Sequence, residues 1–168
     1  MISPDDLLAS GQALLFKQPA PNEADIRAAI SGFYYALFHR LSQAGARMFA
    51  AGGHPLEAQV ARAYNHGPMR KVCEAYSRRR ALPALLNGLV IAAPSNELLF
   101  ICDRFALLQQ ARHVADYDLH ATVTLKEGLE RWADCRFSLA AFQTIEGSSE
   151  VTVFLAALLL DTQWTRRG

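Results

Sequence analysis

The stretch IRAAISGFYYALFHRLSQAGARM, residues 26–48, decides the fold class. At 100° per residue Ile26, Ile30, Phe33, Tyr34, Leu37, Leu41 and Met48 fall on one broad face, the pattern of a helix that buries one side in a core. Asn22 is placed to cap this helix after the Pro19-Ala20-Pro21 break, and Gly52-Gly53 stops it after about Ala50. Tyr35 and His39, four apart, stack on the opposite side, where lysine and glutamate are the usual occupants. They form either an exposed pair of no consequence or part of a dimer surface or a site.

On both sides of this helix, apolar residues recur at three- and four-residue spacing, and no Asn-Gly or Asp-Gly turn separates alternating runs. The spacing predicts a first helix over Pro4 to Lys17 and another from Pro55, interrupted at His66-Gly67-Pro68 and resuming to about Arg79. Residues 80–95, with Pro83, Gly88 and Pro94, read as a loop with a short helical turn at 82–90. Further helices are expected from Glu97 to Tyr117 behind a Ser95 or Asn96 cap, from Leu125 to Ile145 behind Thr124, and from Ser148-Ser149 to Asp161. Val151 to Phe154 have strand propensity but no partner strand in so helical a chain. The expected architecture is all-α: an antiparallel bundle of about six helices in a single domain over residues 1–168.

Composition limits the functional classes. With 51% hydrophobic and 20% charged residues the chain is globular, not disordered or fibrous. Seventeen Lys+Arg against 16 Asp+Glu leave a net charge of +1, so any nucleic-acid site has to be local. Cys73, Cys102 and Cys135 are odd in number, far apart and without a CxxC pair, which excludes a disulfide framework and a zinc knuckle and predicts reduced, buried thiols. The N-terminus lacks the basic and apolar regions of a secretory signal, so a cytoplasmic location is expected. The longest apolar run, Val151 to Leu160, is about half the roughly 20 residues of a membrane span.

Two features depart from the bundle pattern. Leu98, Ile101, Phe105 and Leu108 form one stripe, and the next position along it is Arg112. A guanidinium cannot shed its charge, so Arg112 snorkels from the helix end or needs a partner or polar cavity; Asp116, one turn later, is the nearest candidate. The pair either ties the helix end to its neighbours or belongs to a site. Residues 61–80 hold Arg62, Arg70, Lys71, Arg78, Arg79 and Arg80 against only Glu74, with Tyr64, His66 and Tyr76 interleaved. This is either a solvated helix end favoured by the dipole, or a set in which Arg62, Tyr64, His66, Arg70, Lys71, Arg78 and Arg79 contact phosphates and stack on unpaired bases. His113, Asp116 and His120 lie three and four apart where a helix ends, HExxH and Glu-x-x-His are absent, and no metal is expected. The sequence has no P-loop, dinucleotide fingerprint or nucleophilic-triad motif, and no cofactor is expected.

The segment Ile30-Ser31-Gly32-Phe33-Tyr34-Tyr35-Ala36-Leu37-Phe38-His39 resembles the Tyr-Tyr-Ala-x-Phe-His helix of the HEPN superfamily (higher eukaryotes and prokaryotes nucleotide-binding). His66-Gly67 and the following helix resemble the family's middle segment. Arg112-His113-Val114-Ala115-Asp116-Tyr117-Asp118 is similar to the Arg-x-x-Ala-Asp-Tyr-Asp ending of a large bacterial branch. The three matches come in the family's order over about residues 24–120 and leave the helices of 121–168 unaligned. The resemblance implies an HEPN-like bundle, usually a homodimer, whose active members are metal-independent RNases in toxin–antitoxin, phage-defence and RNA-processing systems, often paired with a nucleotidyltransferase-type antitoxin.

In those members an Arg-x4-His motif lines a cleft at the dimer interface. Arg112 matches the arginine, but the position five later is Tyr117. A tyrosine near pKa 10 is a poor base at neutral pH, where a histidine near 6.5 is a good one. His113, His39 and His66 are the replacements on offer. The implied chemistry is attack of a 2′-hydroxyl on the adjacent phosphate, with a histidine moving protons and Arg112 stabilising the phosphorane charge. Asp116 then orients Arg112 or the histidine, and Tyr117 hydrogen-bonds a phosphate oxygen. The alternative is a catalytically silent HEPN-like module that binds RNA, a nucleotide or a protein partner.

Overall fold

The computed structural model describes residues 3–50, 53–78 and 93–165. Among them the chain forms seven helices and no strand: α1 (Pro4–Leu15), α2 (Glu23–Ala50), α3 (Glu57–Ala63), α4 (His66–Ser77), α5 (Asn96–Tyr117), α6 (Leu125–Ile145) and α7 (Ser149–Thr165). This is an all-α helix bundle. The loop and helical turn expected at 80–95 lie mostly outside the described residues. None of the described helices is long and apolar enough to cross a membrane.

Helix starts follow the capping residues. Ser3 Oγ accepts from Asp6 N at 3.0 Å while the Asp6 carboxylate accepts from Ser3 N at 3.1 Å. Asn22 and Asp25 exchange the same pair of bonds, both 2.9 Å, as do Thr124 and Glu127 at 3.3 and 2.7 Å. Each reciprocal box satisfies two amides that no helical carbonyl reaches, at about 1 kcal/mol for the cap. The break before α4 differs from the expected one. His66-Gly67-Pro68 opens the helix instead of interrupting it, with Asn65 extended at the cap and Met69 N donating the first helical bond to Asn65 O at 3.1 Å. Pro68 is tolerated because an amide in the first turn has no helical acceptor.

The chain divides into two compact units, residues 1–39 with 104–140 and residues 40–103 with 141–168. In the first, α2 runs antiparallel to α5: Arg27 reaches Ala115 and Asp118, Tyr35 reaches Arg112, and the Tyr34 ring lies 5.6 Å from Phe105. Phe33, Tyr34, Leu37, Phe105 and Leu108 are fully buried there. Gly11 lets α1 approach, since a Cβ at that position would collide with the Phe33 ring.

In the second unit, Tyr76 meets Phe154 edge-on at 5.3 Å, and Arg40 pairs with Glu146 at 2.7 Å over the Phe142 ring. Val151, Phe154, Leu155, Ala157 and Leu158 of α7 are buried. These positions share one face of α7, which is how a short run of strand-like side chains supplies the buried side of a core helix. Cys73 and Cys102 in this unit, and Cys135 in the first, are buried free cysteines. Burial pushes the Cys135 thiol up to about 12.

Candidate functional site

The last turn of α5 is built to hold a charge at the end of a core stripe. Leu98, Ile101, Phe105 and Leu108 are each fully buried, and the same stripe then delivers Arg112, whose side chain is 17% exposed. The turn is fixed by Arg27. Its Nη1 donates to the carbonyls of Val114, Ala115 and Asp118 at 3.2, 3.0 and 3.0 Å, and its Nη2 donates to Ala121 O. These carbonyls lie at and just beyond the α5 C-terminus, where helical donors run out and a cation is favoured; Val114 O still accepts from the Asp118 amide. Glu23 orients Arg27 at 2.9 Å and accepts from Val123 N at 3.1 Å; the Val123 amide, then Arg27, hold its carboxyl below the usual range.

Arg112 is surrounded by aromatic and acidic groups. Its Nη2 donates to Tyr35 Oη at 2.8 Å and Tyr117 Oη at 3.3 Å, and its Nε lies 2.6 Å from Asp116 Oδ2. Its Cζ is 6.0, 5.3 and 5.2 Å from the ring centres of Tyr34, Tyr35 and Tyr117, within cation–π range. Ser31 Oγ donates to Asp116 Oδ2 at 3.4 Å. Burial opposes the charged form of Arg112, but Tyr35, Asp116 and Tyr117 outweigh it and raise its pKa above the ordinary arginine value. The cation is permanent.

Two histidines flank this group. His39 stacks on Tyr35 at 6.1 Å with 25° between the planes, and burial lowers its pKa. His113 is exposed and packs at 5.2 Å against Tyr117, itself 62% exposed. The five candidates Arg112, His113, Asp116, Tyr117 and His39 thus share one unit, His39 joined to Arg112 through Tyr35 and His113 through Tyr117. Two participants escape the stripe analysis of α5: Arg27 and Ser31. A signal for them exists, because Arg27, Ser31, Tyr35 and His39 recur every four residues and form a polar line down α2.

Of the seven expected RNA-binding residues, the six described ones are placed differently, in or beside α3 and α4. Arg62, Lys71 and Arg78 are exposed, Arg70 and His66 are half-buried, and Arg70 pairs with Glu74 at 2.8 Å. Arg79 lies outside the described residues. Tyr64 is corrected: it is 3% exposed, its hydroxyl donates to Leu155 O at 3.1 Å, and its ring fills the space that Gly45 leaves. A ring sealed on both faces cannot stack on a base. Tyr76, at 4% exposure, is core for the same reason. Among the described residues no three His, Cys, Asp or Glu side chains are grouped to hold a metal ion, so His113, Asp116 and His120 form no ligand set. No family model, curated protein or solved structure matches the chain.

Proposed function

We propose that the chain is an HEPN-like, metal-independent RNase, or a toxin derived from one, acting in bacterial defence or stress response. The observation that carries the reading is the permanent Arg112 cation, held at the end of α5 by Tyr35 and Tyr117 with His39 and His113 on either side. A guanidinium presents the planar donor geometry that suits a phosphodiester and the pentavalent charge formed on attack. The 2′-hydroxyl attacks the adjacent phosphorus and gives its proton to a histidine, the P–O5′ bond breaks, and the leaving 5′-oxygen takes up a proton, giving a 2′,3′-cyclic phosphate and a 5′-hydroxyl. His113 is the better placed proton carrier because it is exposed, whereas His39 is half-buried behind Tyr35. Arg62, Lys71 and Arg78 supply salt-dependent phosphate contacts. The active form is a homodimer, restrained by a cognate antitoxin or nucleotidyltransferase.

The test is cleavage of single-stranded RNA in EDTA. The wild type yields cyclic-phosphate ends, Arg112→Ala abolishes cleavage, and His113→Ala reduces it by about 10²-fold or more. Intact RNA with the folded wild type overturns catalysis. A second reading is favoured by Tyr117, which stands where the resembled motif has histidine and accepts a bond from Arg112 instead of offering a base. On that reading the chain is a silent module binding RNA, a nucleotide or a protein partner, and Arg112→Ala weakens binding with no cleavage to lose.

A further inference from the structure

The edge of Arg112 carrying Nε already has an anion beside it, at ion-pair distance but out of line for a hydrogen bond from the N–H. Asp116 Oδ2 lies 2.6 Å from Nε, and Ser31 Oγ donates to that same oxygen from α2 at 3.4 Å. The groups on Nη2 are two phenol hydroxyls, Tyr35 and Tyr117. A guanidinium takes an oxyanion through its edges, so an incoming phosphate meets a carboxylate where it needs a donor. Asp116 is a surface residue at the open end of the helix, whereas Tyr34 and Tyr35 are packed against the aromatic side of α2. The acid can therefore swing away without opening the core.

We propose that Asp116 is a displaceable internal anion that masks Arg112, and that a phosphodiester of single-stranded RNA binds by exchanging with it. The choice of RNA rests on the function proposed above; the mask itself rests only on the geometry of Ser31, Arg112 and Asp116. In the masked state the guanidinium is neutralised by Asp116, which Ser31 holds, and is kept in place by the two phenols. In the open state Tyr35 and Tyr117 keep the guanidinium oriented while the carboxylate moves into water. Substrate arrival and unmasking are one event, which keeps the site quiet towards weak anions.

Two readouts separate the mask from its occupant. The first is the rate at which phenylglyoxal modifies Arg112, followed by peptide mass spectrometry. The second is the affinity for a labelled single-stranded oligoribonucleotide, followed by fluorescence anisotropy at fixed salt. Asp116→Asn is expected to raise the modification rate of Arg112 and tighten RNA binding about fivefold, because binding no longer has to break an ion pair whose charges, taken ~4 Å apart at the dielectric of water, are worth about that factor. Asp116→Glu keeps Arg112 protected, and Arg112→Ala/Asp116→Asn loses the gain. Should Asp116→Asn fail a melting check, Ser31→Ala shows a smaller change in the same direction. An unchanged modification rate in the folded variant, or weaker RNA binding, overturns the mask and leaves Asp116 as a positioning residue. Faster modification with no RNA binding by either protein upholds the mask and overturns RNA as its occupant.

Discussion

Replacing Arg27 by alanine removes one side chain from four carbonyls at once. The Arg27 side chain is only 15% exposed, and its bonds to Val114 O, Ala115 O and Ala121 O are partly buried while that to Asp118 O is exposed. Water replaces the donor readily at the exposed carbonyl and poorly at the other three. At about 1 kcal/mol for each bond lost to a partly buried carbonyl, discounted for partial rehydration and for Val114 O, which keeps the Asp118 amide, the loss is about 2–3 kcal/mol. The Glu23 pair, half-exposed, adds little. For a chain of 168 residues that loss lowers the melting temperature by roughly 4–12 °C. Thermal and urea unfolding followed by circular dichroism give the global number. Amide exchange gives the local one: protection is lost first at Asp118, whose amide donates to Val114 O, and through residues 118–123. Arg27→Lys keeps the charge but not the fork, so it recovers about half. An alanine variant within about 0.5 kcal/mol of wild type, with unchanged exchange over 118–123, refutes the reasoning.

Two further outcomes follow from single contacts. Tyr64→Phe deletes the hydroxyl bonded to Leu155 O in a buried setting and is expected to cost about 1–1.5 kcal/mol in urea unfolding, with the ring's packing retained. Because burial holds the His39 imidazole below its ordinary pKa, the unfolded chain takes up that proton first as the pH falls. Stability is therefore at its plateau above about pH 6.5 and declines below it, and His39→Gln flattens that part of the profile in urea midpoints taken between about pH 5 and 7.5.

The helices were legible because their signals are local. Residues 26–48 announce α2 through a repeat that any short window contains, and Asn22, Thr124 and Ser148 mark helix starts by bonds spanning three residues. Pro68 misled because the same residue is a breaker inside a helix and harmless in its first turn, and which applies depends on where the helix begins. Arg112 was legible as an anomaly, an ion on an apolar stripe, and its partner one turn away followed from helical geometry. Tyr64 was not. An aromatic among basic residues reads as a stacking surface in sequence, and only its bond to Leu155, 91 positions on, shows that it faces inward.

What the sequence alone determined is the all-helical class, most of the helix limits and the position of the unusual arginine. All three rest on interactions within about four residues, where periodicity and backbone geometry leave few choices. Only the tertiary structure decided that Tyr35 is an Arg112 partner across 77 positions, that Arg27 ties down the end of α5, and that Ser31 holds Asp116 against the guanidinium. Those pairings are set by which helix faces meet when apolar surface is buried. That choice belongs to the packed core as a whole, and no short stretch of the chain encodes it.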